Sequence, residues 1–336
     1  MKIVQFISSA GYVGAERSFV ELCNELSKKD EVYAVVVKEC VFEERFDDSV
    51  KVLRLNSSSG RSNPFLYLEL FSILRQIEPD IVHTHSSKAT VIAYRLWRVM
   101  GFDFVATKRN MRRDPIFDKV PHPVAVSKEV ASIIKNPEVR IVHNGLTLGS
   151  VPDQSLENKF TILAVGALRK IKGFDGLIEA FAGLGDDVVL WIAGEGEERK
   201  RLEEIAKKVG VVDRVLFLGY REDVPVLMKR AHLQVVNSIS EGFGRVIVEA
   251  LHHSNMLLSS EVGVATEVLA KELLFKKGSL KERLRDVYEH YDSYRKIFLE
   301  CKAANADSFT VEEMTKNYRD LYNSIAGTRS GERVSG

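Results

Sequence analysis

The chain alternates short runs of β-branched residues with amphipathic helical segments, and it does so in two successive series. The first series opens with KIVQFIS at residues 2–8, and the second opens with FTILAV at residues 160–165. Strands that alternate with helices are typical of parallel sheets whose two faces are covered. Residues 145–158, between the two series, have the Gly, Ser, Pro and Asp content of a linker. The pattern therefore predicts an α/β protein with two doubly wound domains that face a central cleft.

Length and composition agree with this organisation and exclude several classes of protein. The 336 residues are about twice the usual length of one domain, and 48 Lys and Arg nearly balance 47 Asp and Glu. That balance gives no global attraction to nucleic acid. Cys23, Cys40 and Cys301 lie too far apart for a disulfide framework or a thiolate metal site. No apolar run approaches the roughly 18 residues that span a bilayer, and the first residues do not resemble a signal peptide, so we expect a cytoplasmic protein.

The domain boundaries are predicted from the same pattern. We expect residues 1–152 to form the N-terminal domain and residues 153–310 to form the C-terminal domain. Residues 311–326 are expected to form a helix that packs back on the N-terminal domain. Residues 327–336 are poor in apolar side chains and are expected to be a disordered tail.

The turn after the first strand of the second series is strongly basic. It reads VGALRKIKG at residues 165–173 and places Arg169, Lys170 and Lys172 between a strand end and a helix start. On an arbitrary surface, such a turn is simply solvated. At the carboxyl end of a strand that faces a ligand cleft, the same cations suit a pyrophosphate group. Both interpretations stay open from the residues alone.

The segment NSISEGFGRVIVE at residues 237–249 is the most informative part of the chain. A loop with two glycines, at residues 242–244, leads into a helix whose free N–H groups can meet a polar ligand. Glu241 lies in the loop, and Glu249 lies on the helix about two turns further on. Two carboxylates at different depths suit two sets of hydroxyl groups. The alternative for Glu249, an exposed helix carboxylate, is less favoured because its neighbours are apolar.

Two further turns carry candidate ligands in the first series. Gly11 and Gly14 open a helix, but their spacing does not match a dinucleotide fingerprint, which leaves a general role in binding phosphate. The strand at residues 80–86 reads DIVHTHS, and alternation places His83 and His85 on one side of it. A histidine at the carboxyl end of a strand is a candidate ligand or a structural residue. The pair lacks further ligands at zinc spacing, so we expect no metal site.

A local basic region lies beneath the nearly neutral total. Between residues 88 and 113 the chain carries seven cations against one acid, and the region ends with Arg109, Arg112 and Arg113. This region is either a solvated helix face with a basic loop or a patch that meets anionic lipid or a phosphorylated acceptor. The region carries no RNA-binding signature, and nucleic acid is not expected as a partner.

Taken in order, these segments resemble the retaining glycosyltransferases of family 4, which have the GT-B fold of two facing Rossmann-like domains. The resemblance covers most of the chain. Its strongest piece is SEGFGRVIVEAL at residues 240–251. The other matching stretches are GAE at 14–16, DIVHTHS at 80–86, AVS at 125–127, VHNG at 142–145, VGALRKIKG at 165–173, AGEGEERKRLEEIAKKVG at 193–210, RVLFLGY at 214–220 and SSEVGVATEVL at 259–269.

The resemblance implies a role for each matching residue. The N-terminal domain would bind the acceptor, and the C-terminal domain would bind a UDP- or GDP-sugar. Residues with implied roles are Lys172 and Arg169 at the donor diphosphate, Glu249 at the ribose, Glu241 with the amides of Gly242, Phe243 and Gly244 at the transferred sugar, Gly14 near the phosphate, His85 at the donor sugar, and Tyr220 and Arg221 near the nucleobase. Glu241, His85 and Lys172 would be the catalytic residues.

The family also implies a front-side displacement in which the leaving phosphate takes the acceptor proton. No protein nucleophile, metal or other cofactor is expected, because the cations of the basic turn take the place of a divalent ion. The expected acceptor is a glycan or a lipid-linked glycan in lipopolysaccharide or cell-surface polysaccharide biosynthesis. Peripheral contact with the anionic cytoplasmic face of the inner membrane, through Arg109, Arg112 and Arg113, is a further expectation.

Several positions depart from the family pattern. The positions that differ are Ala167, where many members have Arg, His232 in place of Asp, Ser254 and Met256 in place of Gly and Pro, and Val264 in place of Gly. These changes raise one alternative to a fully active transferase, a weak or silent protein that only binds nucleotide sugars. A second alternative is a nucleotide-sugar 2-epimerase, which shares the two-domain architecture, although the two histidines of DIVHTHS and the spacing of Glu241 and Glu249 argue against it.

Overall fold

Two separate parallel sheets organise the chain. The computed structural model describes residues 1–57, 60, 62–305 and 307–334, with side chains described as far as Ala326. Unit 1 comprises Met1–Thr147 and the C-terminal segment from Phe309, and unit 2 is Leu148–Ser308. The boundaries that we predicted, after residues 152 and 310, lie a few residues C-terminal to these. The first boundary falls within the predicted linker at residues 145–158.

Unit 1 contains a seven-stranded sheet in its described residues, and every pairing in it is parallel. The strand order is β3-β2-β1-β4-β5-β6-β7. The strands are β1 Lys2–Phe6, β2 Glu31–Val36, β3 Lys51–Arg54, β4 Ile81–Thr84, β5 Asp103–Lys108, β6 His122–Ala125 and β7 Arg140–Ile141. The helices among them are α1 Gly14–Ser27, α2 Pro64–Ile77, α3 Ser87–Met100 and α4 Lys128–Ser132.

The strand order of unit 1 reverses between β1 and β4. The chain first builds outward from β1 to β3, and then it returns to the other side of β1 with β4. In open parallel sheets, the helices on either side of such a reversal diverge and leave a crevice at the carboxyl ends of the two strands. The loops that follow β1 and β4 are therefore the places in unit 1 where a ligand site is expected.

Unit 2 repeats this plan with a six-stranded parallel sheet in the order β10-β9-β8-β11-β12-β13. Its reversal lies between β8 and β11. The strands are β8 Phe160–Val165, β9 Val188–Ala193, β10 Val215–Gly219, β11 Leu233–Val236, β12 Leu257–Ser260 and β13 Leu274–Phe275. The helices are α5 Phe174–Phe181, α6 Arg199–Lys208, α7 Val224–Arg230, α8 Arg245–His253, α9 Ala265–Val268, α10 Leu280–Glu289 and α11 Tyr291–Ala304.

The last helix, α12 Val311–Val334, belongs to unit 1. Its apolar side chains are buried in the same core as those of α1 and β1, as expected for residues 311–326. Arg319 donates two hydrogen bonds to Asp30, which also accepts from the amino group of Met1. The backbone is helical as far as Val334, where we expected disorder from residue 327, and residues 335 and 336 lie outside the described residues.

Candidate active site

In unit 2, two loops meet at the carboxyl ends of β8 and β11. The loop after β8 carries the basic turn, and the loop after β11 leads into α8. The amide of Ile239 donates to the carbonyl of Ile171 at 2.8 Å, and the Asn237 side chain donates to the carbonyl of Gly173 at 2.6 Å. Gly173 has a φ of +64°, and a Cβ at this position would lie 2.2 Å from the Asn237 oxygen. The close contact between the loops therefore depends on glycine.

The two loops bring Lys172 and Glu241 together, although 69 residues separate them in the sequence. Lys172 Nζ lies 2.5 Å from Glu241 Oε1, and the Ser238 hydroxyl donates to the same oxygen at 2.7 Å. Both charged side chains are largely but not fully buried. A lysine and a carboxylate at the reversal of a parallel sheet form a compact polar site with both signs of charge.

The loop before α8 is held in a fixed shape by its backbone. Gly244 precedes the helix with a φ of +84°, and Gly263 has a φ of +52°. A Cβ on Gly263 would lie 2.4 Å from the carbonyl oxygen of Phe243, and that oxygen also accepts from the amide of Val264 at 2.9 Å. Gly242, Phe243 and Gly244 thus lead directly into the amino end of α8, where N–H groups without helical partners point outward.

The other residues of unit 2 that we expected to bind the nucleotide sugar lie outside this pair of charges. Glu249 is partly buried on α8, and its carboxylate has no hydrogen bond or ion pair to any side chain that the structure describes. Arg169 is exposed at the start of the basic turn. Tyr220 is 71% exposed after β10, two strands from β8. The Arg221 guanidinium is engaged by both oxygens of Asp223, at 2.7 and 2.6 Å.

In unit 1, a cavity of about 530 Å³ opens at the carboxyl ends of β1, β4 and β5, where the strand order reverses. Its wall contains five basic side chains and two acidic ones, Glu16 and Asp114. The basic residues are Lys88, Lys108, Arg109, Arg112 and Arg113. The cavity therefore has an excess of positive charge, although the whole chain is nearly neutral.

His85 lies at the base of this cavity and is only 1% exposed. Its Nε2 is 2.5 Å from the amide oxygen of Gln5, which only accepts, so Nε2 carries the proton. Nδ1 then accepts from Arg109 Nη2 at 2.8 Å. Burial, with the nearby His83 ring and the Arg109 guanidinium, holds the pKa of His85 well below its usual range. The ring is neutral, and both of its nitrogens bond within unit 1, so its expected contact with a donor sugar stays a prediction.

A chain of hydrogen bonds continues inward from His85 to helix α12. Gln5 Nε2 donates to the Tyr322 hydroxyl at 3.1 Å, and that hydroxyl lies 2.6 Å from His83 Nδ1. His83 Nε2 in turn lies 2.7 Å from Thr107 Oγ1. His83 is therefore a structural residue that connects β4 to the C-terminal helix. Sequence reasoning missed Gln5 and Tyr322, because their roles depend on strand pairing and on the docking of α12.

The amino end of α1 is partly occupied by a side chain of the protein itself. Glu16 is buried, and its Oε2 accepts from the amide of Val13 at 3.1 Å. Gly14 is exposed at the first position of the helix. A ligand approaching Gly14 would thus meet the Glu16 carboxylate, which has already taken one of the amide donors expected to bind phosphate.

The three arginines that we expected to form an acceptor or membrane patch all line the cavity of unit 1. Arg109 is partly buried, and it bonds to His85 and to the side-chain oxygen of Asn144. Arg113 is paired with both carboxylate oxygens of Asp118. Arg112 is exposed and lines the cavity. Their role in binding an acceptor or a membrane stays a prediction, because the sequence shows the number of cations in a segment but not which of them are used internally.

The departures from the family pattern in unit 2 are accommodated by local structure. His232 accepts from the amide of Thr161 at 3.1 Å, and its ring stacks on Phe160 at 4.8 Å. The Ser254 hydroxyl donates to Gln234 at 2.7 Å. The side chains of Met256 and Val264 are fully buried. Ala167 is partly exposed on the basic turn, so its position offers no cation.

No helix in the described part of the chain is both long and apolar enough to cross a membrane. Among those same residues, no group of three or more His, Cys, Asp or Glu side chains is arranged to hold a metal ion. The expectation of a metal-independent reaction stays a prediction.

Comparisons with known proteins agree with the two-unit structure. The family model of glycosyl transferases group 1 matches residues 151–298, and that of glycosyltransferase family 4 matches residues 12–149. A lipopolysaccharide core biosynthesis glycosyltransferase of Rhizobium meliloti is 26% identical over 262 residues, 74% of this chain and 75% of that protein. The N-acetylgalactosamine-N,N'-diacetylbacillosaminyl-diphospho-undecaprenol 4-alpha-N-acetylgalactosaminyltransferase of Campylobacter jejuni is 24% identical and covers 94% of this chain and 98% of its own.

A solved structure of the Anabaena protein HepE in complex with UDP has a TM-score of 0.84 to this chain at 20% identity. It covers 96% of this chain and 100% of its own. The likeness confirms the expected fold class, GT-B with two Rossmann-like domains. The two family models together span both units of the chain, which is a glycosyltransferase and belongs to glycosyltransferase family 4.

Proposed function

We propose that the protein transfers a sugar from a nucleotide-diphosphate sugar to a hydroxyl group of a glycan or lipid-linked acceptor, with retention of anomeric configuration. The observation that carries the proposal is the meeting of Lys172 and Glu241, at 2.5 Å, where the strand order of unit 2 reverses. A diphosphate is stabilised by a cation, and sugar hydroxyls donate hydrogen bonds to a carboxylate. Both are present in one site.

The donor is proposed to bind unit 2. Lys172, assisted by Arg169, would bind the diphosphate, and Glu249 would accept hydrogen bonds from the ribose hydroxyls. Glu241 and the amides of residues 242–244 would bind the transferred sugar. HepE has been solved in complex with UDP and with UDP-glucose, which supports a nucleotide-sugar donor and favours UDP as its nucleotide. Tyr220 would lie near the base, while Arg221 is held by Asp223.

The chemistry follows from the charge that develops on the leaving diphosphate. As the bond between the anomeric carbon and the phosphate oxygen breaks, negative charge grows on that oxygen, and Lys172 is placed to stabilise it. Glu241, already held by Ser238, would orient the sugar through its hydroxyls. The acceptor hydroxyl attacks from the same face as the departing phosphate, which takes its proton. No protein nucleophile is needed, and the basic turn supplies the positive charge that a metal ion would otherwise bring.

The acceptor is proposed to bind unit 1, through the cavity at the ends of β1, β4 and β5. Relatives named for lipopolysaccharide core biosynthesis and for a diphospho-undecaprenol acceptor support a glycan or lipid-linked acceptor. His85 is proposed to act by holding Arg109 in place at the cavity wall, since its own ring nitrogens are both bonded. Gly14 would contribute backbone amides beside Glu16.

The test begins with a panel of UDP- and GDP-sugars added to the purified protein. One donor is expected to raise the midpoint of thermal unfolding, because a ligand that binds only the folded state stabilises it. With that donor and a glycan acceptor, NMR of the product should show the anomeric configuration of the donor sugar. Activity should persist when a chelator removes divalent ions.

Other outcomes would identify the alternatives. Tight donor binding without transfer or hydrolysis, unchanged by Glu241→Ala, would indicate a silent nucleotide-sugar-binding protein. Release of an epimerised nucleotide sugar with no acceptor present would indicate an epimerase. An inverted product would contradict the proposed front-side displacement.

A further inference from the structure

We propose that the cavity of unit 1 recognises a phosphate or diphosphate group, and that this group belongs to the acceptor. The assignment to the acceptor rests on the proposed function. The anion site itself is argued from this cavity alone.

The first observation is the charge of the wall. Arg109 and Arg113 already have hydrogen-bond partners within unit 1, so the proposed anion site is argued from the other cations of the wall. Lys88, Lys108 and Arg112 line the same wall as Glu16 and Asp114. Both carboxylates accept a hydrogen bond from a nearby backbone amide, Glu16 from Val13 and Asp114 from Ile116. The cations are thus only partly offset by acids that already have partners.

The second observation is a buried ammonium group. Lys108 is 1% exposed, and its Nζ donates to the carbonyl of Arg112 at 2.5 Å and lies 5.1 Å from the centre of the Phe117 ring. No carboxylate in the described part of the chain lies within ion-pair distance of it. Burial lowers the pKa of Lys108 from its usual range. A buried charge is costly unless it is paired, and a bound anion would supply the pair.

The third observation is a set of neutral donors beside these cations. Helix α3 begins at the cavity wall, and its cap Ser86 lies 2.8 Å from the hydroxyl of Ser8. The neighbouring Ser9 hydroxyl is buried and has no hydrogen-bond partner among the described residues. A helix amino end, a hydroxyl without a partner and several cations around one cavity match the oxygens of a phosphate group.

The shape of the site favours a group that enters the cavity over a flat membrane surface. Membrane contact requires several exposed cations on one face. Here Lys108 is buried, Arg109 bonds to Asn144, and the charge of the exposed Arg113 is offset by Asp118. The phosphate could still come from a soluble glycan or from a lipid headgroup drawn into the cavity, and the experiment distinguishes the two.

The test measures binding of inorganic pyrophosphate to the full-length protein by calorimetry, without any sugar transfer. It is performed in the Lys172→Met protein, so that the proposed donor site does not contribute. Arg112→Gln, an exposed position, should weaken binding about 10-fold or more, as loss of a charged hydrogen bond does. Lys108→Met should do the same. Lys119→Gln removes an exposed cation that does not line the cavity and should leave binding unchanged.

If Lys108→Met does not fold, Arg112→Gln decides the question. The inference would be overturned if Arg112→Gln bound pyrophosphate as tightly as the Lys172→Met parent does. It would also be overturned if Lys119→Gln weakened binding as much as Arg112→Gln does. The absence of pyrophosphate binding in that parent would overturn it as well. Binding of the protein to phosphatidylglycerol vesicles, compared with phosphatidylcholine vesicles, identifies the source of the phosphate. Vesicle binding that is lost in Arg112→Gln assigns a lipid phosphate. Pyrophosphate binding without vesicle binding assigns a soluble one.

The two proposals can fail separately. Pyrophosphate binding that depends on Arg112, in a protein that transfers no sugar from any nucleotide donor, would keep the anion site and reject the proposed function. Sugar transfer by a protein whose cavity binds no pyrophosphate would do the reverse.

Discussion

At the scale of single residues, the candidate site depends on positions where only a particular side chain, or only a glycine, makes the observed contact. Lys172 and Glu241 need their charges, and His85 needs both ring nitrogens. Gly173 needs the absence of a Cβ, because the loop after β11 lies directly against it. The glycine therefore determines how closely the two loops approach, and hence the distance between the two charges.

Replacing Gly173 with alanine tests this contact. The change adds a Cβ at 2.2 Å from the Asn237 oxygen, on a backbone with a φ of +64°. Gly210→Ala is the matched control, because Gly210 has a φ of +77° but no atom within 4 Å of the added Cβ. We expect urea unfolding to show about 1–2 kcal/mol lost at Gly210 and clearly more at Gly173. Equal losses of unfolding free energy in the two variants would mean that the loops after β8 and β11 are not in close contact at Gly173.

At the scale of elements, the periodicity of the sequence predicted most helices and strands closely. Helix α2 is an example: the apolar pattern over residues 64–77, followed by Pro79, predicts the bounds that it has. Asn63 caps it, Pro64 opens it and Glu78 closes it in a left-handed conformation. The two-residue strand β13 carries too little pattern to be recognised. The break between α11 and α12, where Leu146 pairs with Thr310, lies next to the start that we expected for the last helix, at residue 311.

The same contrast holds for the candidate site. The basic turn and the loop before α8 were identified because their chemistry lies within short segments. The hydrogen-bond chain from Arg109 through His85 and Gln5 to Tyr322 was not, because its members come from four distant parts of the chain. Motifs show which residues are suited to a role, whereas tertiary contacts decide which of them are available for it.

Helix α12 provides a prediction at this scale. Leu321 is 3% exposed in the core of unit 1, whereas Leu299 on α11 is 40% exposed. Leu321→Ala should therefore cost about 2–5 kcal/mol of unfolding free energy, as buried leucines do. Leu299→Ala is the control and should cost much less. Similar losses for the two variants in urea titrations would contradict the docking of α12 into the core.

At the scale of the whole molecule, each unit has one reversal of strand order, and each reversal carries a charged site. Unit 2 pairs a lysine with a carboxylate, and unit 1 collects cations around a cavity. The net charge of +1 hides this arrangement, because it is a sum over regions of opposite sign. The chain also buries several histidines, which affects its stability as a whole.

The buried histidines predict that the fold is weakened by acid. Burial lowers the pKa of His253 to about 4, and it lowers the pKa of His83 and of His85 well below the usual value. As pH falls through about 6.5, the unfolded chain takes up protons that the folded state does not, so unfolding becomes more favourable down to about pH 4 for His253. Urea unfolding should show lower stability at pH 5 than at pH 7.5. His253→Asn should reduce the difference, and an unchanged pH dependence would contradict its assigned pKa.

Lys172 is proposed to stabilise the leaving diphosphate, and a comparison of two variants tests this role most directly. Lys172→Met and Lys170→Met remove one cation each from the same turn, but only Lys172 contacts Glu241. With the donor found in the panel, steady-state kinetics should show kcat reduced about 100-fold or more by Lys172→Met. Lys170→Met should retain nearly full activity. Equal kcat values for the wild-type protein and Lys172→Met would contradict the account.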